Sequence, residues 1–282
     1  MKLKLDPYKQ KLAEVYDNDR SQNYDQNQWL PQITHRLVES VEIKPGNQVL
    51  DIATGTGHVA IEVAQLLGNS GLVVGVDIST KMIEKAREKA TALKLKNIEF
   101  QLADGENINF PDNSFDLILC ANAFPLMINK EATLRLWSKF LKPGGFIGLH
   151  SIAETGFTNI IVLKKILENH GINIDFFQLS NTVNTIEKYD NLLRQANLEV
   201  IFVKTETHGS YRSLEEAKKK WNLVYYPSPV NNNPHPFTKL STEKIEQMKA
   251  EFELELEKFT TPEGIWNNGT TFLVLGRKSV SQ

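Results

Sequence analysis

The chain has 282 residues, enough for one large domain or a domain carrying an insertion, and 41% hydrophobic with 23% charged residues is the composition of a soluble globular protein. A formal net charge of −2 supplies no field for nucleic acid, and the single cysteine, Cys120, excludes an internal disulfide and a thiolate metal cluster. The start, MKLKLDPYKQ, lacks the apolar core of a signal peptide, and no apolar run approaches the roughly 20 residues of a membrane helix, so a cytoplasmic protein without membrane insertion is expected.

Residues 1–45 read as a polar helical cap, with Leu30, Ile33, Leu37 and Val41 at helical spacing. Pro45-Gly46 stops that helix. From 47 to 150 short apolar runs alternate with amphipathic ones. Strands are expected at 48–52, 72–77, 98–103, 115–120 and 145–150, and helices at 57–67, 79–93 and 131–141. The alternation predicts βαβ units, an α/β fold and a mainly parallel sheet. Ser79 is the expected N-cap of a helix whose apolar face is Met82, Ile83, Ala86, Ala90 and Leu93. Lys142-Pro143-Gly144-Gly145 is expected to end the third helix and turn into the fifth strand. Beyond 150 the rhythm changes. Helices are expected at 160–169, 188–196, 213–224 and 242–259, with strands at 198–205 and 270–276. This divides the chain into a cap at 1–45, a core at 46–206 with 266–278, and an insertion at 207–265 that covers a site.

The richest segment is Val49–Ala60, VLDIATGTGHVA. An apolar strand ends in Asp51, turns through Gly55 and Gly57, and enters an apolar helix. The next strand, LVVGVD, ends in Asp77. This is how a parallel α/β sheet builds a nucleotide cleft at the carboxyl ends of its strands. The turn also satisfies G-x-G-x-x-G/A, with an acid 20 residues beyond Gly57, so alone it fits a dinucleotide as well as an adenosyl ligand. Three features favour the adenosyl ligand. Asp51 suits a cationic group and would repel a pyrophosphate. Ala103-Asp104-Gly105 puts a carboxylate at the third strand end, where it can accept from an adenine amino group, although A-D-G-E is also a turn sequence. The fourth strand ends Cys120-Ala121-Asn122-Ala123-Phe124, with LKPGG following before the fifth.

Together these residues resemble the class I S-adenosylmethionine-dependent methyltransferases, and most the ubiquinone/menaquinone-biosynthesis-like branch with its small-molecule relatives. The resemblance runs from Tyr16 to Lys278. LDIATGTG is similar to that family's first motif, with Ala53 where many members have glycine. Tyr16-Asp17 and Tyr24-Asp25 resemble its tyrosine-rich N-terminal segment, which folds over the cofactor. The resemblance implies a Rossmann-like, seven-stranded, mostly parallel sheet with an antiparallel last strand, N-terminal helices and a helical lid insertion. It implies S-adenosyl-L-methionine as cofactor. Asp51 would hold the aminocarboxypropyl end. Ala53, Gly55 and Gly57 would let the backbone come close, with Tyr24 folding over. Asp77 would take the ribose hydroxyls, and Ile78 and Met82 would pack on the adenine, Met82 being shared with the core. Asp104 would accept from the adenine amino group beside Gly105, and Asn122 and Ala123 would line the sulfonium side.

A sulfonium donor is already activated, so orientation and desolvation, worth about 7–11 kcal/mol at best, can carry most of the acceleration, and no metal is expected. His150, ending GLHSIAE, is the expected general base for a hydroxyl acceptor, with Glu154 beside it; the competing reading is a histidine that only bonds loop backbone. Phe124 and Met127 follow the fourth strand directly and are expected in the acceptor pocket. Tyr225 and Tyr226 are expected there from the lid, although lid aromatics also build a lid's own core. His35, His58 and His170 read as structural. The expected activity is methyl transfer to a small, partly apolar biosynthetic metabolite, with oxygen the first choice of acceptor and nitrogen or carbon open. The rivals are a nicotinamide-dependent oxidoreductase and a cofactor-binding protein without turnover.

Overall fold

Short apolar runs flanked by amphipathic helices bury both faces only by pairing side by side under a helical layer, and the chain does this. A computed structural model describes residues 3–26, 29–152, 157–172, 183–225 and 236–280. The described part of the N-terminal segment carries α1 (Pro7–Val15), a π-helical turn (Tyr16–Arg20), α2 (Ser21–Asn23), a 3₁₀ turn (Tyr24–Gln26) and α3 (Trp29–Glu39). Then come β1 (Gln48–Ile52), α4 (His58–Leu67), β2 (Leu72–Asp77), α5 (Thr80–Ala92), β3 (Ile98–Leu102), β4 (Phe115–Ala121), α6 (Lys130–Phe140) and β5 (Leu141–Ile152). The remainder is α7 (Thr158–Asn169), α8 (Ile186–Gln195), β6 (Leu198–Arg212), α9 (Leu214–Lys218), α10 (Thr242–Glu257), β7 (Thr260–Thr261) and β8 (Gly264–Lys278).

The sheet has eight strands. Seven lie in the order β3-β2-β1-β4-β5-β8-β6, and the two-residue β7 pairs with β8. The first five run parallel, and the C-terminal strands are antiparallel. The strand order reverses between β1 and β4, which pair directly through Asp51 opposite Leu119. In an open α/β sheet the crevice for a ligand lies outside the carboxyl ends at this reversal.

The early elements match the expected ones within a residue or two. Ser79 caps α5, its Oγ accepting from Met82 N–H at 3.1 Å. The later strands do not match. β5 begins at Leu141, not at Gly145. Its pairing with β4 steps from Phe115–Leu141 to Leu117–Phe146, so Lys142-Pro143-Gly144-Gly145 bulges out inside the strand rather than preceding it. β6 and β8 are each 15 residues long, more than double the expected spans for the second and roughly double for the first. The expected helix 213–224 is instead the short α9 continued by a 3₁₀ stretch, Lys219–Tyr225.

The chain divides into two compact units. One comprises Met1–Ser151, Thr185–Lys204 and Phe272–Gln282, and the other Ile152–Asn184 and Thr205–Thr271. Residues 207–265, expected as an insertion, fall in the second unit together with 152–184. In the first unit Val59, Ala60 and Val63 of α4 and Ile83, Ala86 and Ala90 of α5 bury against Val49, Val73, Leu117 and Leu119 of the sheet. The second unit has its own core of Leu163, Trp221, Phe237, Met248, Phe252, Leu256 and Ile265.

Gly57 shows how tightly α4 is seated. It has φ +86°, and a Cβ there would lie 3.1–3.3 Å from Ile61, Phe100 and Ala86. Gly57→Ala therefore pays both for the left-handed backbone and for crowding, and is expected to lower stability by about 1–3 kcal/mol. Urea unfolding of the two proteins, with an unchanged slope, measures this.

Candidate active site

The turn after β1 is built by backbone that only small residues adopt readily. Ala53, Gly55 and Gly57 all have positive φ, of 55°, 55° and 86°. At Ala53 a methyl group sits in the conformation that favours glycine. Thr54 N–H bonds the Val76 carbonyl at 2.9 Å, tying the turn to β2. Gly55 N–H donates to Asp77 Oδ2 at 2.9 Å, and Ser79 N–H donates to Asp77 Oδ1 at 2.8 Å. Asp51 lies beneath, 1% exposed, accepting from Thr54 Oγ1 at 2.6 Å.

These two acids are electrostatically expensive. Burial lifts the Asp51 carboxyl to about 7, with the nearby Asp77 charge adding to it. Asp77 keeps part of its surface open, yet desolvation by the packed strand ends still lifts it to about 6. Among the described residues no cation offsets either one.

The third strand end is arranged differently. Asp104 Oδ1 accepts from Glu106 N–H at 3.1 Å, and Oδ2 from Asn107 Nδ2 at 2.7 Å, so it serves as the turn residue that A-D-G-E suggests. Oδ2 also takes Lys9 Nζ of α1 at 2.8 Å. Gly105 is pressed against the core: a Cβ there would lie 2.7 Å from Ile52 Cγ2. Glu106 gathers four donors: Lys9 Nζ at 2.9 Å, Ile128 N–H at 3.1 Å, Asn129 N–H at 2.9 Å and Thr133 Oγ1 at 3.1 Å. Burial acts to raise the Glu106 pKa, but Lys9 and the two amides outweigh it and hold the carboxyl below its ordinary range. Burial likewise works against the Lys9 ammonium, and the bonds to Asp104 and Glu106 overcome it and raise its pKa.

The N-terminal segment reaches every one of these loops. Tyr8 Oη donates to the Leu126 carbonyl at 3.2 Å. Asp17 accepts from Ser79 Oγ at 2.6 Å and Lys81 N–H at 3.0 Å, at the start of α5. Lys85 Nζ bonds the Ser21 carbonyl. Tyr24 lies over the first turn, its ring 3.6–3.8 Å from where a Gly55 Cβ would be. Asp25 accepts from Thr56 Oγ1 at 2.6 Å and Lys89 Nζ at 2.7 Å, and lies 3.0 Å from His58 Nε2.

On the far side of β1, Asn122 follows β4 with φ +59° and is half-buried. His150 of β5 is fully buried, its Nδ1 3.0 Å from Asn122 Oδ1. Ala123 is half-buried and leads into a 3₁₀ turn, Phe124–Leu126. Phe124 is fully buried against Trp137 and Tyr189, at centroid distances of 5.9 and 6.1 Å, so its ring belongs to the core beneath the cleft. Met127 is nearly buried, and its carbonyl takes Lys130 Nζ at 2.8 Å. Burial pushes the Lys130 ammonium down to about 8. Ile78 is half-buried beside Asp77, whereas Met82 is fully buried on the inner face of α5. Tyr225 ends the 3₁₀ stretch of the second unit, and Glu154 and Tyr226 lie outside the described residues. Among the described residues no three His, Cys, Asp or Glu side chains group to hold a metal, and no helix is long and apolar enough to cross a membrane.

Residues 43–219 match the family described as "Methyltransferase domain". The chain belongs to that methyltransferase family. It is 37% identical over 142 residues to a ubiquinone/menaquinone biosynthesis C-methyltransferase UbiE of Pseudomonas savastanoi pv. phaseolicola, covering 48% of this chain and 56% of the relative. A second protein of that name, from Ectopseudomonas mendocina, is 36% identical over 153 residues, covering 52% and 60%. The methyltransferase thus spans a little over half the length of the curated relatives it matches. Its fold is that of the YcgJ protein from Bacillus subtilis, with a TM-score of 0.59 and 18% identity over 88% of this chain and 98% of that one. It is also that of the phospholethanolamine N-methyltransferase 2 of Haemonchus contortus, with a TM-score of 0.59 and 16% identity over 98% and 61%.

The cofactor of this methyltransferase is S-adenosylmethionine, and the two costly acids fit it. A buried carboxylate without a cation partner suits an ammonium, and a rim carboxylate at the end of β2 suits a diol. The parts that sequence reasoning missed are Lys9, Glu106 and Lys89. Each is a single charged residue in a helix or loop, with a role set by partners 22 to 97 positions away.

Glu106 ties α1 to the loops after β3 and β4. Glu106→Gln leaves Lys9 with a weakened partner and is expected to cost about 2–3 kcal/mol at pH 7. Because the folded pKa of Glu106 is depressed, its contribution is present above the ordinary carboxylate range and lost as pH falls through the folded value. Thermal unfolding should show the gap between the two proteins closing in acid.

Proposed function

We propose that this methyltransferase transfers a methyl group from S-adenosylmethionine to a carbon atom of a small, partly apolar acceptor, an electron-rich ring of the hydroquinone type. The observation that carries the cofactor half is the placing of Asp51 and Asp77 at neighbouring strand ends with no cation beside them among the described residues, burial lifting the two carboxyls to about 7 and about 6. Asp51 would receive the ammonium of the ligand. Asp77, already holding the turn through Gly55 and Ser79, would accept the ribose hydroxyls with its remaining lone pairs. The cofactor supplies an electrophilic methyl group that needs no further activation. The chain's own work is to hold the acceptor in line, keep water out and leave the nucleophile poorly solvated.

The carbon acceptor is supported by the printed names of the relatives, which are C-methyltransferases of ubiquinone and menaquinone biosynthesis. It is also supported by His150. A base for an acceptor hydroxyl has to touch that hydroxyl, and this ring is fully buried. As the ring carbon takes the methyl group the S–C bond breaks and S-adenosylhomocysteine leaves; the hydrogen of that carbon is then lost to solvent as a proton, so the transfer itself can proceed by proximity.

Calorimetric titration with S-adenosylhomocysteine tests the cofactor site. Asp77→Ala should weaken binding by roughly one to a few kcal/mol. An ammonium binds the ionised form of Asp51, so below its folded value of about 7 the carboxyl must first lose a proton. Affinity should therefore rise with pH and level off above that value, and binding near pH 6.5 should release protons, read from the difference in heat between buffers of unlike ionisation enthalpy (the pH window is about one unit either side). Asp51→Asn should lose most of the affinity and its pH dependence together. It should also raise the melting temperature of the ligand-free protein at pH 8, where the buried charge costs most. Tight binding by Asp51→Asn with the pH dependence intact would remove the ammonium assignment.

A further inference from the structure

Asn122 and His150 end neighbouring parallel strands, and they are joined twice. Ala121 pairs with His150 in the β4–β5 register, and one residue on Asn122 N–H donates to the His150 carbonyl at 2.6 Å. The side chains then meet, His150 Nδ1 lying 3.0 Å from Asn122 Oδ1. A carboxamide oxygen only accepts, so the bond fixes the hydrogen on Nδ1 of the imidazole. Asn122 has φ +59°, a left-handed conformation that asparagine tolerates better than most residues, so its backbone is set as firmly as its amide. His150 is wholly buried, whereas Asn122 is half-buried and stands at the carboxyl end of β4, next to β1, where the strand order reverses.

An amide is planar, and its oxygen and nitrogen project to opposite sides. With Oδ1 held against β5 by the imidazole, the two N–H donors of Nδ2 are turned away from His150. We infer that His150 is a positioning residue, holding the Asn122 side-chain amide so that its N–H donors receive an oxygen of the acceptor. This rests on the proposed function and deepens it, since the acceptor must then carry a carbonyl, enol or phenolate oxygen close to the carbon that is methylated. An oxygen in that place pushes electron density onto the adjacent ring carbon, and a fixed donor on it sets which carbon faces the methyl group. Packing inward, with one ring nitrogen on Asn122, is the geometry of a group that acts through its neighbour.

The test uses the full-length protein, S-adenosylmethionine carrying a labelled methyl group, and 1,4-naphthohydroquinone kept reduced by dithionite. Asn122→Ala and His150→Ala should each raise KM for the quinol about tenfold, with a smaller loss in kcat. The double variant should be no worse than the poorer single one, because both remove the same contact. His150→Gln offers an N–H to the same oxygen and should restore KM to within about threefold of the parent. Asn122→Asp keeps an oxygen for His150 but replaces the donors with an acceptor, and should be as poor as alanine. Binding of S-adenosylhomocysteine to the His150 variants should stay within about twofold, and an unchanged urea unfolding transition reports that every variant, those at Asn122 included, is folded. Additive losses in the double variant, or a His150→Gln no better than His150→Ala in a protein that still binds S-adenosylhomocysteine, would overturn the inference and leave the proposed function standing. A parent protein that binds S-adenosylhomocysteine but methylates no quinol would overturn the acceptor half of the proposed function and this inference with it.

Discussion

The Asp77 carboxylate takes the Gly55 amide with one oxygen and the Ser79 amide with the other. Through the first bond it sets the turn after β1, and through the second it sets the start of α5. An acid that accepts two main-chain amides is oriented before any ligand arrives, so a ligand meets a rim that needs no rearrangement. The same placement forces the acid into a crowded strand end, where it resists ionisation. Asp51, deeper and held by Thr54, carries the same strain to a greater degree. The first unit therefore carries electrostatic cost at two adjacent strand ends, and on the proposed reading a cationic, diol-bearing ligand relieves it.

Lys9 of the first unit is balanced by two acids, and the contrast is informative. Lys9 is almost wholly buried yet sits between Asp104 and Glu106, and Glu106 satisfies two loop amides and a hydroxyl besides. Buried ions are tolerated where every lone pair finds a donor. The Lys9 network belongs to the architecture, while Asp51 and Asp77 accept hydrogen bonds but face no cation among the described residues. Asp104 lies on both sides of this divide. It fills the turn role that A-D-G-E suggests and also bonds Lys9, so any adenine amino group would join a carboxylate already in use.

The first 140 residues could be read closely because their hydrophobic pattern has one cause. Strands of a parallel sheet are buried on both faces and appear as unbroken apolar runs, so 48–52 and 72–77 could be bounded to the residue. β6 and β8 could not, since their outer stretches alternate with polar residues such as Thr205, Glu206 and Thr207, and the apolar run ends long before the ladder does. Lys142-Pro143-Gly144-Gly145 looked like the end of a helix because it has the residues of one; in the structure a bulge uses the same freedom of glycine. At the site, the acids at strand ends could be found because a strand end is a local event. The bonding of His150 to Asn122, and of Lys9 to Glu106, could not, because each depends on how distant strands and helices are stacked. Phe124 packs in the core, since a residue just past a strand can turn under the sheet as easily as over it.

The polar contacts of the N-terminal segment have a kinetic side. Between Tyr8 and Asp25 it bonds the loops after β1 and β4 and the start of α5, while Lys9 holds the loop after β3. On the proposed reading, spent cofactor leaves through this rim, and the segment must let go before a fresh molecule enters. Its outer ties, Asp25 to Lys89 and Asp17 to the start of α5, are partly open to solvent and weaken as ions accumulate around them. Ionic strength then acts on the residence time of the nucleoside more than on the methyl transfer, and a rate limited by exchange would quicken in salt while one limited by chemistry would not.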